Sequence, residues 1–149
     1  MEKPADVNPP GLIDGLFNRL FGWLIARGLA PSNFFLLEVR GRKSGRMYST
    51  PVDLLAYNGR DYLVAPRGRT QWVRNAAASG EVNLRQGRTS RRYSLHAVAD
   101  ADKPAILKSY LDTYRSQVQR FFPVPAGSRV EAFASLVDRY PAFEIRPVA

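Results

Sequence analysis

The sequence contains no cysteine and a single histidine, His96. Without cysteine there are no disulfides, thiolate metal sites, iron–sulfur ligands or thiol nucleophiles. One imidazole excludes metal sites and catalytic dyads that need two. Long apolar runs are missing as well. The longest are interrupted by Gly, Asn or Arg well before the roughly 18 residues that a membrane-spanning helix requires. The opening Met1-Glu2-Lys3-Pro4 lacks the basic and apolar regions of a secretion signal, so a cytoplasmic location is expected. Acidic residues are scarce: 13 against 22 basic ones, a net charge of +9. Most of the basic residues are arginine, whose planar donor fork suits phosphate and carboxylate. A polyanionic partner follows, whether nucleic acid, an acidic membrane surface or a phosphorylated cofactor, and charge alone does not choose among them.

What is present describes one domain. A chain of 149 residues with 45% hydrophobic content can close a single core. Residues 1–30 read as an arm followed by an amphipathic helix, and residues 31–149 as the domain proper. In the helix, Leu12, Ile13, Leu16, Phe17, Leu20, Phe21, Leu24 and Ile25 recur at three-and-four spacing, and Gly28 is a stop. Such a stripe packs on a core or, with Trp23 and arginines beside it, lies on a membrane surface.

Beyond it the pattern predicts strands over 34–40, 47–57, 61–65, 82–86, 91–99 and 143–148, with a hairpin turn at Asn58-Gly59. Helices are predicted over 71–79, ending at Gly80, over 101–121 and over 129–139. About six hairpin-linked strands interrupted by single helices imply an α+β domain on a closed or nearly closed antiparallel sheet.

Two segments carry chemistry. Gly41-Arg42-Lys43-Ser44-Gly45-Arg46 is a glycine-bracketed turn between strands. Positive-φ glycines would turn its N–H groups inward as an anion nest, with three cations beside it. It reads equally as a solubilising basic turn. The second segment, Ala65-Pro66-Arg67-Gly68-Arg69, leaves a strand and runs into Gln71-Trp72-Val73-Arg74-Asn75. A helix starting there aims its positive end at whatever the loop holds, and Trp72 offers a flat face. The alternative makes Trp72 a core anchor and Asn75 an amide that satisfies a loop. Together the two segments suit an elongated ligand with an anionic tail and a planar head. No carboxylate pair has catalytic spacing, and His96 reads as an ordinary strand residue.

The ordered series GRKSGR, Thr50-Pro51-Val52, Val64-Ala65, a Gly/basic loop and Trp72-x-x-Asn75 resembles the deazaflavin-dependent nitroreductase family. The likeness covers residues 34 to about 100 well and the last third loosely. It implies an α+β split β-barrel of the FMN-binding type and a reductase using the deazaflavin coenzyme F-420. FMN or FAD is the alternative cofactor. By that resemblance Arg42, Lys43, Ser44, Gly45 and Arg46, with Met47 beside them, hold the phosphate region. Pro51, Ala65, Pro66 and Arg67 line the ring site, and Gln71, Trp72, Val73, Arg74 and Asn75 close over it. The implied reaction is hydride transfer to a small hydrophobic acceptor: a quinone, an activated enone or a nitro compound. The cofactor carries the hard step while the protein positions the reactants. Two departures stand out. Relatives carry a tyrosine cluster near the C-terminal helix where this chain has Tyr114 followed by few aromatics, and the loop before Trp72 is short. Tyr110, Tyr114, Tyr48 or solvent are then the candidate proton donors. Split barrels often pair, so a homodimer is expected by analogy. A non-catalytic basic barrel that binds single-stranded nucleic acid is the rival reading, disfavoured because the aromatics do not line one exposed strand face.

Overall fold

The computed structural model describes residues 33–149. The expected amphipathic helix of residues 11–28 lies outside them. Seven strands form one sheet: β1 (Phe34–Arg40), β2 (Met47–Asp53), β3 (Leu55–Tyr57), β4 (Arg60–Val64), β5 (Glu81–Gln86), β6 (Thr89–Ala97) and β7 (Ala142–Pro147). Helix α1 (Gln71–Ser79) precedes β5, and α2 (Lys103–Val118) follows β6. The order across the sheet is β2-β1-β5-β6-β7-β4-β3, and every pairing is antiparallel.

The edge strands β2 and β3 are separated by one residue, Leu54, although six strand positions apart in the sheet. A flat sheet cannot satisfy that connection. The sheet therefore curls until its edges meet, leaving a seam where a closed barrel would have a seventh ladder. This is the split β-barrel. The expected single strand over 47–57 breaks at this corner. Its backbone is held by Leu54 N–H donating to the Asn33 carbonyl at 3.0 Å and by the Tyr114 hydroxyl donating to the Leu54 carbonyl.

Alternation places Leu37, Val39, Val82, Leu84 and Tyr93 inside the curl with Leu63 and Ile145, and Ala76 of α1 packs with them. A second core forms where α2 crosses the seam. Ile106, Leu107, Tyr110, Leu111, Tyr114 and Val118 fall on one helical face, against Leu55, Val64, Phe122, Phe133 and Tyr140. Pro104 sits in the first turn of α2, where its missing N–H costs nothing.

Two further expectations need correction besides the strand count, which is seven and not six. Helix α2 is shorter than 101–121: helical dihedrals fail at Tyr114 (φ −112°, ψ 26°), and a 3-10 turn (Gln119–Phe121) follows. Residues 129–139 form a 3-10 turn (Val130–Leu136), not an α-helix. Its buried anchors, Phe133 and Leu136, are three apart, the spacing that a three-residue turn eclipses. The Asn58-Gly59 hairpin holds, with φ of 50° and 75° as a type I′ turn demands.

Candidate functional site

A cavity of about 640 Å³ opens beside the seam, within the size range of small-molecule sites. The turn after β1 contributes Arg42, Lys43 and Ser44, and β2 contributes Tyr48 to Asp53. Ala65, Pro66, Arg67 and Thr70 enter from the segment after β4, and Gln71, Trp72 and Asn75 from α1. The far wall is Tyr110, Gln117 and Val118 of α2, with Arg120 and Phe121 beyond it. The basic turn and the tryptophan-bearing helix start therefore face one space.

They are also tied to each other. Arg42 Nη1 donates to Asn75 Oδ1 at 2.8 Å and to Gln71 Oε1 at 3.0 Å. The Arg42 main-chain N–H donates to the same Asn75 oxygen at 3.0 Å. Asn75 is 4% exposed, the one buried polar residue among the described core residues. Burying an amide is tolerable because this network satisfies it. Asn75 is thus the loop-satisfying amide of the alternative reading, and it also fixes where Arg42 sits.

The basic turn differs from the expected nest. Gly45 has φ of 75°, but Gly41 does not have a positive φ. Its need is spatial: a Cβ there would lie 2.6 Å from the Tyr48 ring and 2.9 Å from Ser44 Oγ. Gly41 N–H donates to the Arg46 carbonyl and Gly45 N–H to the Gly41 carbonyl, at 2.7 and 3.0 Å. Arg46 N–H donates to Ser44 Oγ at 3.1 Å. Most of the turn's backbone donors are therefore engaged in holding the turn. Anion recognition falls to side chains, and Lys43 has neither a hydrogen-bond nor an ion-pair partner among the described residues.

Gly45, Arg46, Met47, Val73 and Arg74 do not line the cavity. Arg46 stacks near Tyr48 at 5.9 Å, and Arg74 Nε donates to the Arg69 carbonyl at 3.1 Å. Met47 is exposed, and Val73 is buried against Ala65 and Phe143. Trp72 combines both readings, packing on Phe143 at 6.3 Å while lining the cavity. His96 bonds Ser94 Oγ at 3.0 Å and does not line the cavity.

The three tyrosines differ in position. Tyr48 stands exposed at the mouth. The bond to the Ser44 hydroxyl draws its pKa down, desolvation opposes it, and the Arg46 charge adds to the lowering. Tyr110 lines the cavity, and burial, then Asp53 and Tyr114, push its pKa well up. Tyr114 does not line it. Its hydroxyl is committed to Leu54, and burial followed by the Asp53 charge takes its pKa up to about 12.

Sequence reasoning named Tyr110 on the α2 side of the site but missed Gln117, Val118, Arg120, Phe121 and Asp53. Asp53, the last residue of β2, is the one carboxyl among the lining residues, which include Arg42, Lys43, Arg67 and Arg120. Burial raises its pKa to about 7. Gln117, with its amide nitrogen turned toward the carboxyl, donates to the two oxygens at 3.0 and 3.2 Å.

The geometry defines a split-barrel protein with a basic-mouthed, apolar-walled ligand cavity. Residues 17–125 match the model of the F-420H(2)-dependent quinone reductase family, and the chain belongs to that family. It is a reductase of the F-420-dependent class. No curated protein matches. Among solved structures, one titled F-420-H2 dependent reductase (FDR-A) is 17% identical. It superposes with a TM-score of 0.51 over 77% of this chain and 95% of its own. A structure described as a domain-swapped dimer is 16% identical, with a TM-score of 0.56 over 90% and 96% of the two chains. A NimC/NimA family protein from Clostridium acetobutylicum is 13% identical, with a TM-score of 0.51 over 85% and 76%. At these identities the likeness is one of fold. Among the described residues no helix is long and apolar enough to cross a membrane.

Proposed function

We propose that this cavity binds reduced coenzyme F-420 and delivers its hydride to a small hydrophobic acceptor of the quinone or activated-enone type. The carrying observation is that the Lys43-bearing turn and the Trp72 helix start line one cavity of about 640 Å³. The donor chemistry fits the cofactor. Lys43 is a cation without a partner among the described residues, beside Arg42 locked in place, which suits a phosphate-bearing tail. Val39, Val52, Pro51, Val64 and Trp72 give an apolar wall for a planar ring. Thr70 Oγ1 is buried without a hydrogen-bond partner among the described residues, a polar atom that a bound ring could satisfy. When bound, the reduced deazaflavin supplies the hydride; the chain's residues hold it, orient it and exclude water.

Tyr48 is the one aromatic among the exposed large hydrophobics of the described residues, so their surface offers no row of rings to stack bases. That favours the reductase over the nucleic-acid reading. Pairing of two copies belongs to the same proposal, since one related structure is described as a domain-swapped dimer. A solution mass near twice 16.7 kDa would support it, and a monomer would remove it.

A titration tests the function. Oxidised coenzyme F-420, FMN, FAD and a single-stranded oligonucleotide are each added while tryptophan emission is followed. Quenching by the deazaflavin, then consumption of its reduced form with menadione, supports the proposal. Binding of the oligonucleotide with no response to the deazaflavin overturns it.

A further inference from the structure

One carboxyl lines the cavity beside the seam, and none of the described residues forms an ion pair with it. Asp53 ends β2 one residue before the corner, facing the cavity where α2 crosses. It forms no ion pair among the described residues, although Arg67 and Arg120 line the same space from the loop after β4 and the 3-10 turn after α2. What touches it is Gln117 of α2, and the phenols of Tyr110 and Tyr114 face it from the same helix. A structural carboxylate at such a place would be expected to hold an arginine. This one is matched instead to an amide.

We propose that Asp53 is the proton donor to the acceptor in this reductase. The inference rests on the reductase reading above. Hydride addition to a carbonyl-type acceptor brings two electrons and one hydrogen, and leaves a negative charge on the acceptor oxygen. One proton completes the reduction. The Asp53 O–H bond breaks as the acceptor O–H bond forms, and the carboxylate left behind regains a proton from solvent between turnovers.

Three features suit Asp53 to this. Burial raises its pKa to about 7, so both forms are populated near neutral pH. Gln117 can serve each form in turn: its amide N–H donates to the carboxylate, and after a half-turn its carbonyl accepts from the carboxylic acid. The tyrosines are poorer acids by comparison. Tyr114 is bonded to the Leu54 carbonyl, and Tyr110 is a weaker acid through its burial.

The test combines turnover with two readouts that need no catalysis. In the cofactor-free protein, carbon-13 NMR of labelled aspartate should show one carboxyl titrating near 7, absent from Asp53→Asn and shifted in Gln117→Leu. Asp53→Asn should bind oxidised coenzyme F-420 as the wild type does, by tryptophan quenching. Its kcat with menadione should fall about a hundredfold with KM little changed. Wild-type kcat should decline as pH rises through 7, the variant should lose that limb, and Asp53→Glu should recover part of the rate. Should Asp53→Asn fail to fold, the wild-type resonance, assigned through Gln117→Leu, and the wild-type pH limb still decide. A carboxyl titrating near 4, or undiminished turnover by Asp53→Asn, overturns the assignment. Failure of the wild type to bind the deazaflavin removes the reductase reading instead, which the binding arm reports separately.

Discussion

Asn75 accepts two hydrogen bonds from Arg42, one from its backbone N–H and one from its guanidinium, across thirty-three residues of sequence. A single buried amide oxygen thereby sets both the path of the basic turn and the aim of its first cation. Replacing Asn75 by Ala leaves the Arg42 N–H without its partner and opens a small void. We expect a loss of about 1–3 kcal/mol in urea unfolding. Deazaflavin affinity should fall in the same variant, because Arg42 is then free to leave the cavity. Arg42→Lys tests the second half alone. It keeps the charge and the backbone bond but loses the planar guanidinium whose Nη1 meets both Asn75 and Gln71. Affinity should drop with little change in unfolding.

Gly41 is required for lack of room rather than for its dihedrals. A methyl group there would press on the Tyr48 ring at 2.6 Å and Ser44 Oγ at 2.9 Å, and on the Arg46 carbonyl at 3.2 Å. The ring can rotate away, but the carbonyl is fixed by its bond from Gly41 N–H. Gly41→Ala should therefore destabilise the fold by about 1–3 kcal/mol, the usual range for overpacking. Combining it with Tyr48→Ala should restore part of that loss, and a double-mutant cycle in urea measures the coupling. Strictly additive losses would show that the ring is not the obstacle.

The sheet was largely legible in the sequence because alternation, Asn58-Gly59 and Gly80 are local signals. Gly80, for instance, caps α1 with φ of 78° as its position suggested. The corner at Leu54 was not legible. A seven-residue strand that continues past one residue into another looks like one long strand until the distant partners, β1 and β7-β4, are known. The turn and the loop after β4 could be named as one candidate site because their residue types suit a phosphate and a ring. Beyond Tyr110, the α2 wall could not. Gln117, Arg120 and Phe121 lie more than forty residues beyond Asn75, and only the chain's path over the seam brings them in. Asp53 was hidden differently: a lone carboxylate at a strand end carries no pattern, and burial alone makes it unusual.

Lys43 offers the cleanest separation of binding from stability. It lines the cavity without a partner among the described residues, so Lys43→Ala should leave the unfolding midpoint within about 0.5 kcal/mol of wild type. Removal of one charge-assisted contact to a phosphate should weaken deazaflavin binding by about tenfold, corresponding to ~1.5 kcal/mol. The difference between variant and wild type should shrink as salt rises, since exposed charges are screened. An affinity that ignores both the substitution and the salt would place the anionic end of the ligand elsewhere.

Asp53 gives the fold a pH dependence of its own. Its pKa is about 7 in the folded chain against 3.8 for an ordinary aspartate, so between those values the native state holds more protons than the unfolded one. Stability then falls as pH climbs through that window and levels off above it. About three units at 1.36 kcal/mol each set an upper bound of ~4 kcal/mol, reduced by the water that reaches this partly exposed group. Asp53→Asn keeps the shape and carries no charge. It should be no more stable than wild type at pH 4 and should gain steadily over it toward pH 8, where the wild type carries a buried charge that Gln117 alone meets among the described residues. Urea midpoints at both pH values measure this. Equal gains at the two would mean that the carboxyl is already ionised at pH 4 and that burial does not hold its proton.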